Sequence, residues 1–111
     1  MSRYDVIIIG AGPGGIFAAY ELAKKAPELK VAVFEAGNSL EKRKCPIDGK
    51  KIKSCINCKT CAIMSGFGGA GAFSDGKYNI TNDFGGTLYE YIGKDTAIDL
   101  MKYVDEINLA Y

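Results

Sequence analysis

Residues 10–15 of the chain have the spacing of a phosphate-binding loop. The run contains the pattern G-x-G-x-x-G, with its glycines at Gly10, Gly12 and Gly15. The first glycine permits a tight turn, the second lets the backbone approach a pyrophosphate, and the third allows a helix to pack closely on a strand. A helix that begins near Pro13 would direct its unpaired N–H groups at the phosphates. The predicted dinucleotide contacts are Gly10, Gly12, Pro13, Gly14 and Gly15.

A carboxylate follows this loop at the distance that dinucleotide binding requires. Glu35 lies about 20 residues after Gly15, at the end of the next apolar run. Its carboxylate can accept hydrogen bonds from both ribose hydroxyls of an adenosine, and its charge would repel a 2′-phosphate. NAD or FAD is therefore favoured over NADP, and Ala36 is predicted to contact the cofactor beside Glu35.

The elements that would position these residues are indicated by hydrophobic patterning. Asp5–Ile9 is a mostly apolar run rich in β-branched side chains, which predicts a strand buried on both faces of a parallel sheet. Ile16–Lys25 has apolar residues at helical spacing, and Lys30–Phe34 predicts a second strand. Together they make a right-handed βαβ unit over residues 4–35. The predicted fold class is α/β, with a Rossmann-like FAD/NAD(P)-binding unit and parallel strands in an incomplete domain.

Composition narrows the possible partners. The 111 residues are 48% hydrophobic, which is enough for one modest core, and 14 Lys and Arg against 13 Asp and Glu give a net charge of +1. A near-neutral chain has no long-range attraction to nucleic acid or anionic lipid. Val6–Ile9, the longest apolar stretch near the start, is too short for a membrane span or a signal sequence. We expect a cytoplasmic protein without nucleic-acid or membrane partners.

The remainder of the chain has less regular patterning. Residues 36–83 lack clear periodicity, while Thr96–Tyr111 returns to helical spacing. Thr96 and Asp99 resemble a capping box at the start of that helix. We predict that residues 1–111 form the N-terminal part of an FAD-binding Rossmann-like domain, with the βαβ unit at 4–35, a Cys- and Gly-rich loop region at 36–83 and a C-terminal helix at about 95–111.

Four cysteines lie close together in the loop region, and the chain has no histidine. Their spacing, C-x9-C-x2-C-x2-C, supplies four thiolates for zinc or an iron–sulfur cluster, although it matches neither a zinc ribbon nor a ferredoxin run. Two alternatives remain open: a redox pair made by two of the closely spaced thiols, or buried thiols without a ligand. The predicted metal ligands are Cys45, Cys55, Cys58 and Cys61.

The stretch from Tyr4 to Gly15 resembles the opening of the FAD-binding superfamily typified by glutathione reductase. This resemblance implies that the N-terminal unit binds FAD and that Glu35 holds the adenosine ribose. The cysteine run from Cys45 to Cys61 and the glycine-rich run that follows it resemble the uncharacterised FAD-dependent dehydrogenases, bacterial and archaeal flavoproteins of several hundred residues. The chain lacks the G-G-T-C-x4-C stretch of the disulfide reductases.

A second glycine-rich run, Gly66–Gly76, alternates glycine with small residues. Such a loop could close over the pyrophosphate or lie beside the isoalloxazine ring, or it could be an ordinary connection. Arg43 matches loosely a basic residue that related flavoproteins place near the phosphates. The family resemblance implies cofactor contacts at Gly69, Gly71, Ser74 and Lys77.

The predicted function is that of an FAD-dependent oxidoreductase whose flavin takes a hydride from one partner and passes it to another. This chain would supply the portion that binds the ADP moiety of FAD, and a nicotinamide cofactor could bind elsewhere in the whole protein. The alternatives are an NAD-binding module without flavin and a metal-binding scaffold organised by the cysteines. No catalytic residue is identified, and the 111 residues alone are expected to bind FAD poorly and to be inactive.

Overall fold

In a computed structural model, which describes residues 3–111, the chain forms two compact units. The first unit extends to Ser74 and the second runs from Asp75 to Tyr111. Short 3-10 turns occur at Leu40–Lys42 and Gly69–Phe73. The regular elements, in chain order, are β1 (Val6–Ile9), α1 (Pro13–Lys25), β2 (Val31–Phe34), α2 (Leu88–Ile92) and α3 (Lys94–Ala110).

The first unit is built on two parallel strands. β1 and β2 pair in parallel, with Val6 opposite Val31 and Ile9 opposite Phe34. α1 connects the two strands and packs against both of them. The predicted α/β fold with a parallel βαβ unit is therefore confirmed, although each strand starts one residue later than the sequence pattern suggests.

α1 begins earlier than its apolar periodicity, because proline and two glycines form its first turn. Pro13 occupies the first helical position, where its missing N–H has no intrahelical acceptor to lose. Gly12 precedes it as the N-cap residue and makes no side-chain cap. The last turn carries Lys24 and Lys25, whose charges favour the negative end of the helix dipole.

The prediction that β1 is buried on both faces is wrong for this chain. Ile7 and Ile9 are 58% and 80% exposed, whereas Val6 and Ile8 on the alternate positions are half-buried. Successive side chains of a strand point to opposite faces, and α1 covers the face of the half-buried pair. The apolar composition of the strand is that of a two-sided sheet, but only one side is covered here.

The second unit is helical. α2 and α3 contact each other, and Ala97 in the first turn of α3 is completely buried. The capping box predicted at Thr96 and Asp99 is wrong, because α3 starts at Lys94 with Gly93 as its N-cap and no side-chain cap bond. Gly93 has φ of +83°, which ends α2 and sets the start of α3 two residues before Thr96. None of the helices in residues 3–111 combines the length and apolar character needed to cross a bilayer.

Close packing of α1 on β1 makes a direct prediction about Gly15. A Cβ on Gly15 would collide with the carbonyl oxygen of Gly10 and lie 3.2 Å from the Ile8 Cγ2 atom. Gly15→Ala should therefore lower the free energy of unfolding of the whole protein by about 1–3 kcal/mol in urea titrations.

Gly14→Ala is the matched control, because a Cβ at Gly14 meets nothing within 4 Å. Alanine is the better helix former, so this variant should be as stable as the wild type or slightly more stable. Equal stability of the two variants would contradict the proposed helix–strand contact.

Candidate cofactor-binding site

The glycine loop joins β1 to the start of α1. The N–H of Gly10 donates to the carbonyl of Phe34 at 2.7 Å, so the end of β1 stays paired with β2 up to the loop. The N–H of Ile16 donates to Gly12 and closes the first turn of α1. The N–H groups that precede Ile16 in a helix have no acceptor within the helix and are available to an anion.

Glu35 connects this loop to the loop that follows β2. Its Oε2 accepts a hydrogen bond from the Ala11 N–H, and its Oε1 accepts one from the Gly37 N–H, both at 2.8 Å. The Ala11 bond is the largest cause that lowers the pKa of Glu35 below its ordinary value, followed by the Gly37 bond. Glu35 therefore remains a carboxylate at neutral pH, and because a carboxylate has about four acceptor positions, it retains capacity for a further donor.

The second glycine run lies directly against both loops. The Gly68 N–H donates to the Ala11 carbonyl at 2.8 Å, and the Phe67 N–H donates to the Asn38 carbonyl at 3.0 Å. The backbones approach so closely that a Cβ on Gly37 would lie 2.5 Å from the Gly66 Cα. Side chains at these positions would separate the segments, so glycine is required for the contact.

A Cβ on Gly69 would likewise lie 3.1 Å from the Gly12 Cα. The structure thus brings a residue of the second glycine run into contact with the central glycine of the first. Gly12 and Gly69 are more than fifty positions apart in the sequence, so no local pattern predicts their contact.

Arg43 is buried beneath the second glycine run. The residue is 6% exposed, and the guanidinium lies 5.0 Å from the centre of the Phe73 ring. Its four hydrogen bonds all go to backbone carbonyls at 2.7–2.9 Å, so its donors fix the loop from below. The acceptors are the carbonyls of Ala62, Ile63, Phe67 and Gly69.

A pocket of about 440 Å³ opens between these segments. Four of the predicted contacts line it, namely Gly12, Glu35, Ala36 and Gly69. Sequence reasoning missed the other lining residues, because they lie in an aperiodic region where no spacing marks them. These are Lys59, Thr60, Met64, Ser65 and Gly66, of which Gly66 begins the second glycine run but was not itself a predicted contact.

Three of the predicted contacts lie in the second 3-10 turn or follow it in the chain. Gly71 is exposed within the 3-10 turn, and Ser74 ends that turn, where its N–H donates to the Gly71 carbonyl. Lys77 belongs to the second unit. These three residues are not among those that line the pocket, and their proposed role in cofactor binding stays a prediction.

The four cysteines line a separate cavity of about 290 Å³. All four are free thiols; Cys55 and Cys58 are exposed, while Cys45 and Cys61 are half-buried. Across residues 3–111, no three His, Cys, Asp or Glu side chains are arranged to hold a metal ion. The assignment of the four thiols as ligands for zinc or an iron–sulfur cluster therefore stays a prediction.

Comparison with known proteins identifies similarity mainly in the βαβ unit. The model of the Thi4 family matches residues 1–41, which end just beyond β2. The thiamine thiazole synthase of Yarrowia lipolytica is 64% identical over 33 residues, which is 30% of this chain and 10% of that protein. The thiamine thiazole synthase of Fusarium oxysporum is 57% identical over 35 residues, 32% of this chain and 11% of that protein.

A longer similarity extends into the loop region. An uncharacterized protein of Clostridium beijerinckii is 39% identical over 71 residues, which is 64% of this chain and 13% of that protein. The chain thus spans 10–13% of the length of these relatives. No solved structure matches the chain. The comparisons support a Rossmann-type unit at the start of the chain and do not single out the dehydrogenases.

The buried position of Arg43 predicts a structural effect. Arg43→Met removes all four bonds to backbone carbonyls and should lower the free energy of unfolding of the whole protein by at least about 2 kcal/mol in urea titrations. Lys42→Met is the control, because Lys42 is exposed one residue away and should change stability by less than about 0.5 kcal/mol. A variant at Arg43 as stable as this control would contradict the structural role.

Proposed function

We propose that this chain binds the ADP half of FAD and forms the N-terminal portion of an FAD-dependent oxidoreductase. The observation that carries the proposal is the pocket in which the Glu35 carboxylate and the Gly12 backbone lie on a common surface. A carboxylate that follows the second strand suits a ribose diol, and a glycine at a helix N-terminus suits a pyrophosphate. Both halves of an adenosine diphosphate therefore have a matching partner in this pocket.

The electrostatics of Glu35 support this choice of ligand. Backbone N–H groups lower its pKa, so the group is an acceptor of hydrogen bonds rather than a donor. Ribose hydroxyls are donors, and a 2′-phosphate would place negative charge against the carboxylate. The proposal therefore favours FAD or NAD over NADP.

The residues of this chain bind and orient the cofactor rather than perform the reaction. FAD, when bound, supplies the hydride chemistry of an oxidoreductase. The N-terminus of α1 would hold the pyrophosphate, and Glu35 would hold the ribose. The glycine contact between Gly12 and Gly69 would keep side chains out of the space beside the phosphates.

The family match agrees with this division of roles. It covers residues 1–41, which contain the βαβ unit and Glu35 but not the second glycine run. The relatives named thiamine thiazole synthase share about a third of this chain, so their similarity speaks for the dinucleotide-binding unit and not for a substrate.

Replacement of Glu35 tests the proposed ribose contact. In the whole protein, Glu35→Ala should weaken FAD binding by about tenfold or more, because hydrogen bonds to a charged acceptor are stronger than neutral ones. The measurement is a fluorescence titration of flavin. Glu28→Ala is the control, since Glu28 is an exposed glutamate between α1 and β2. An unchanged dissociation constant in Glu35→Ala would overturn the assignment, and tighter binding of NAD than FAD by the wild type would favour a nicotinamide cofactor.

A further inference from the structure

We infer that Lys59 contacts a phosphate of the bound nucleotide from the side opposite the glycine loop. This inference rests on the proposed function and adds a cationic contact that was not among the predicted cofactor contacts, since neither Arg43 nor Lys77 lines the pocket. Lys59 lies within the cysteine run, between Cys58 and Cys61, in a segment that no dinucleotide-binding pattern includes.

The pocket places this lysine in a distinctive position. Of the nine residues that line it, Lys59 is the one with a cationic side chain, and Thr60 beside it adds a hydroxyl. The same pocket is lined by Gly12, at the start of α1. A lysine ammonium is a compact charge on a flexible stem, which is suited to a phosphate that the helix N-terminus also holds.

The backbone that carries Lys59 is held in place on its C-terminal side. The Ser65 N–H donates to the Cys61 carbonyl at 2.8 Å. Arg43 donates from Nε to the Ala62 carbonyl and from Nη2 to the Ile63 carbonyl, at 2.8 and 2.7 Å. The segment next to Lys59 is therefore fixed before a nucleotide binds, and less conformational entropy is lost when the contact forms.

The charged groups near Lys59 already have other hydrogen-bond partners. The four hydrogen bonds of the Arg43 guanidinium go to backbone carbonyls, so this buried cation is committed to the loop. The oxygens of Glu35 accept the N–H groups of Ala11 and Gly37. Lys59 is exposed and forms no hydrogen bond or ion pair with another residue in the described part of the chain, so its ammonium can meet an anion that enters the pocket.

The experiment compares ADP with adenosine on the whole protein freed of flavin. Isothermal titration measures both ligands for the wild type, Lys59→Met, Lys59→Arg and Lys53→Met. Lys53 is the matched control, because it is an exposed lysine of the same loop that does not line the pocket. A separate FAD titration of the wild type tests the proposed function.

Lys59→Met is expected to weaken ADP binding by about threefold to tenfold, a range typical of a partly solvated ion contact, and to leave adenosine binding unchanged. Its ADP affinity should also depend less on NaCl concentration, while Lys59→Arg and Lys53→Met should match the wild type. An unchanged ADP affinity, or equal losses for ADP and adenosine, overturns the phosphate contact while the FAD proposal stands. A wild type that binds neither FAD nor ADP overturns both.

Discussion

The candidate site depends on the hydrogen bonds that the buried Arg43 side chain donates to backbone carbonyls. These bonds hold residues 62–69 in a fixed path, and that path brings the second glycine run against the first. A guanidinium offers five donors in a planar fork, so one side chain can satisfy several carbonyls that would otherwise face a loop interior unpaired. Together with the backbone bond from Gly68 to Ala11, the Arg43 bonds hold the second glycine run beside the first.

Glu35, which directly follows β2, holds two loops of the site together. Its two oxygens accept N–H groups from the loops after β1 and after β2, so the carboxylate is oriented before any ligand arrives. The same bonds lower its pKa and keep it charged. The bonds that fix the two loops would therefore also orient the acceptor that the proposed ribose contact requires.

Local features of the site were predictable from the sequence, and long-range features were not. The βαβ unit and the glycine loop follow from short patterns, and the structure confirms the parallel unit. The placement of Arg43, whose acceptors lie 19 to 26 positions away, has no local signal. The same holds for Lys59, because its position depends on how an aperiodic loop folds. The burial of β1 was overestimated because an apolar strand indicates that both of its faces can be covered, but it does not indicate which segment covers them.

Hydrogen–deuterium exchange of the whole protein, with and without FAD, tests the central claim most directly. If the pocket holds the ADP half of FAD, the amides of Gly12, Gly14, Gly15 and Gly66–Gly69 should exchange more slowly in the presence of the cofactor, while amides in the last turn of α1 serve as the internal reference. Protection that appears elsewhere in the protein and leaves both glycine runs unchanged would contradict the account.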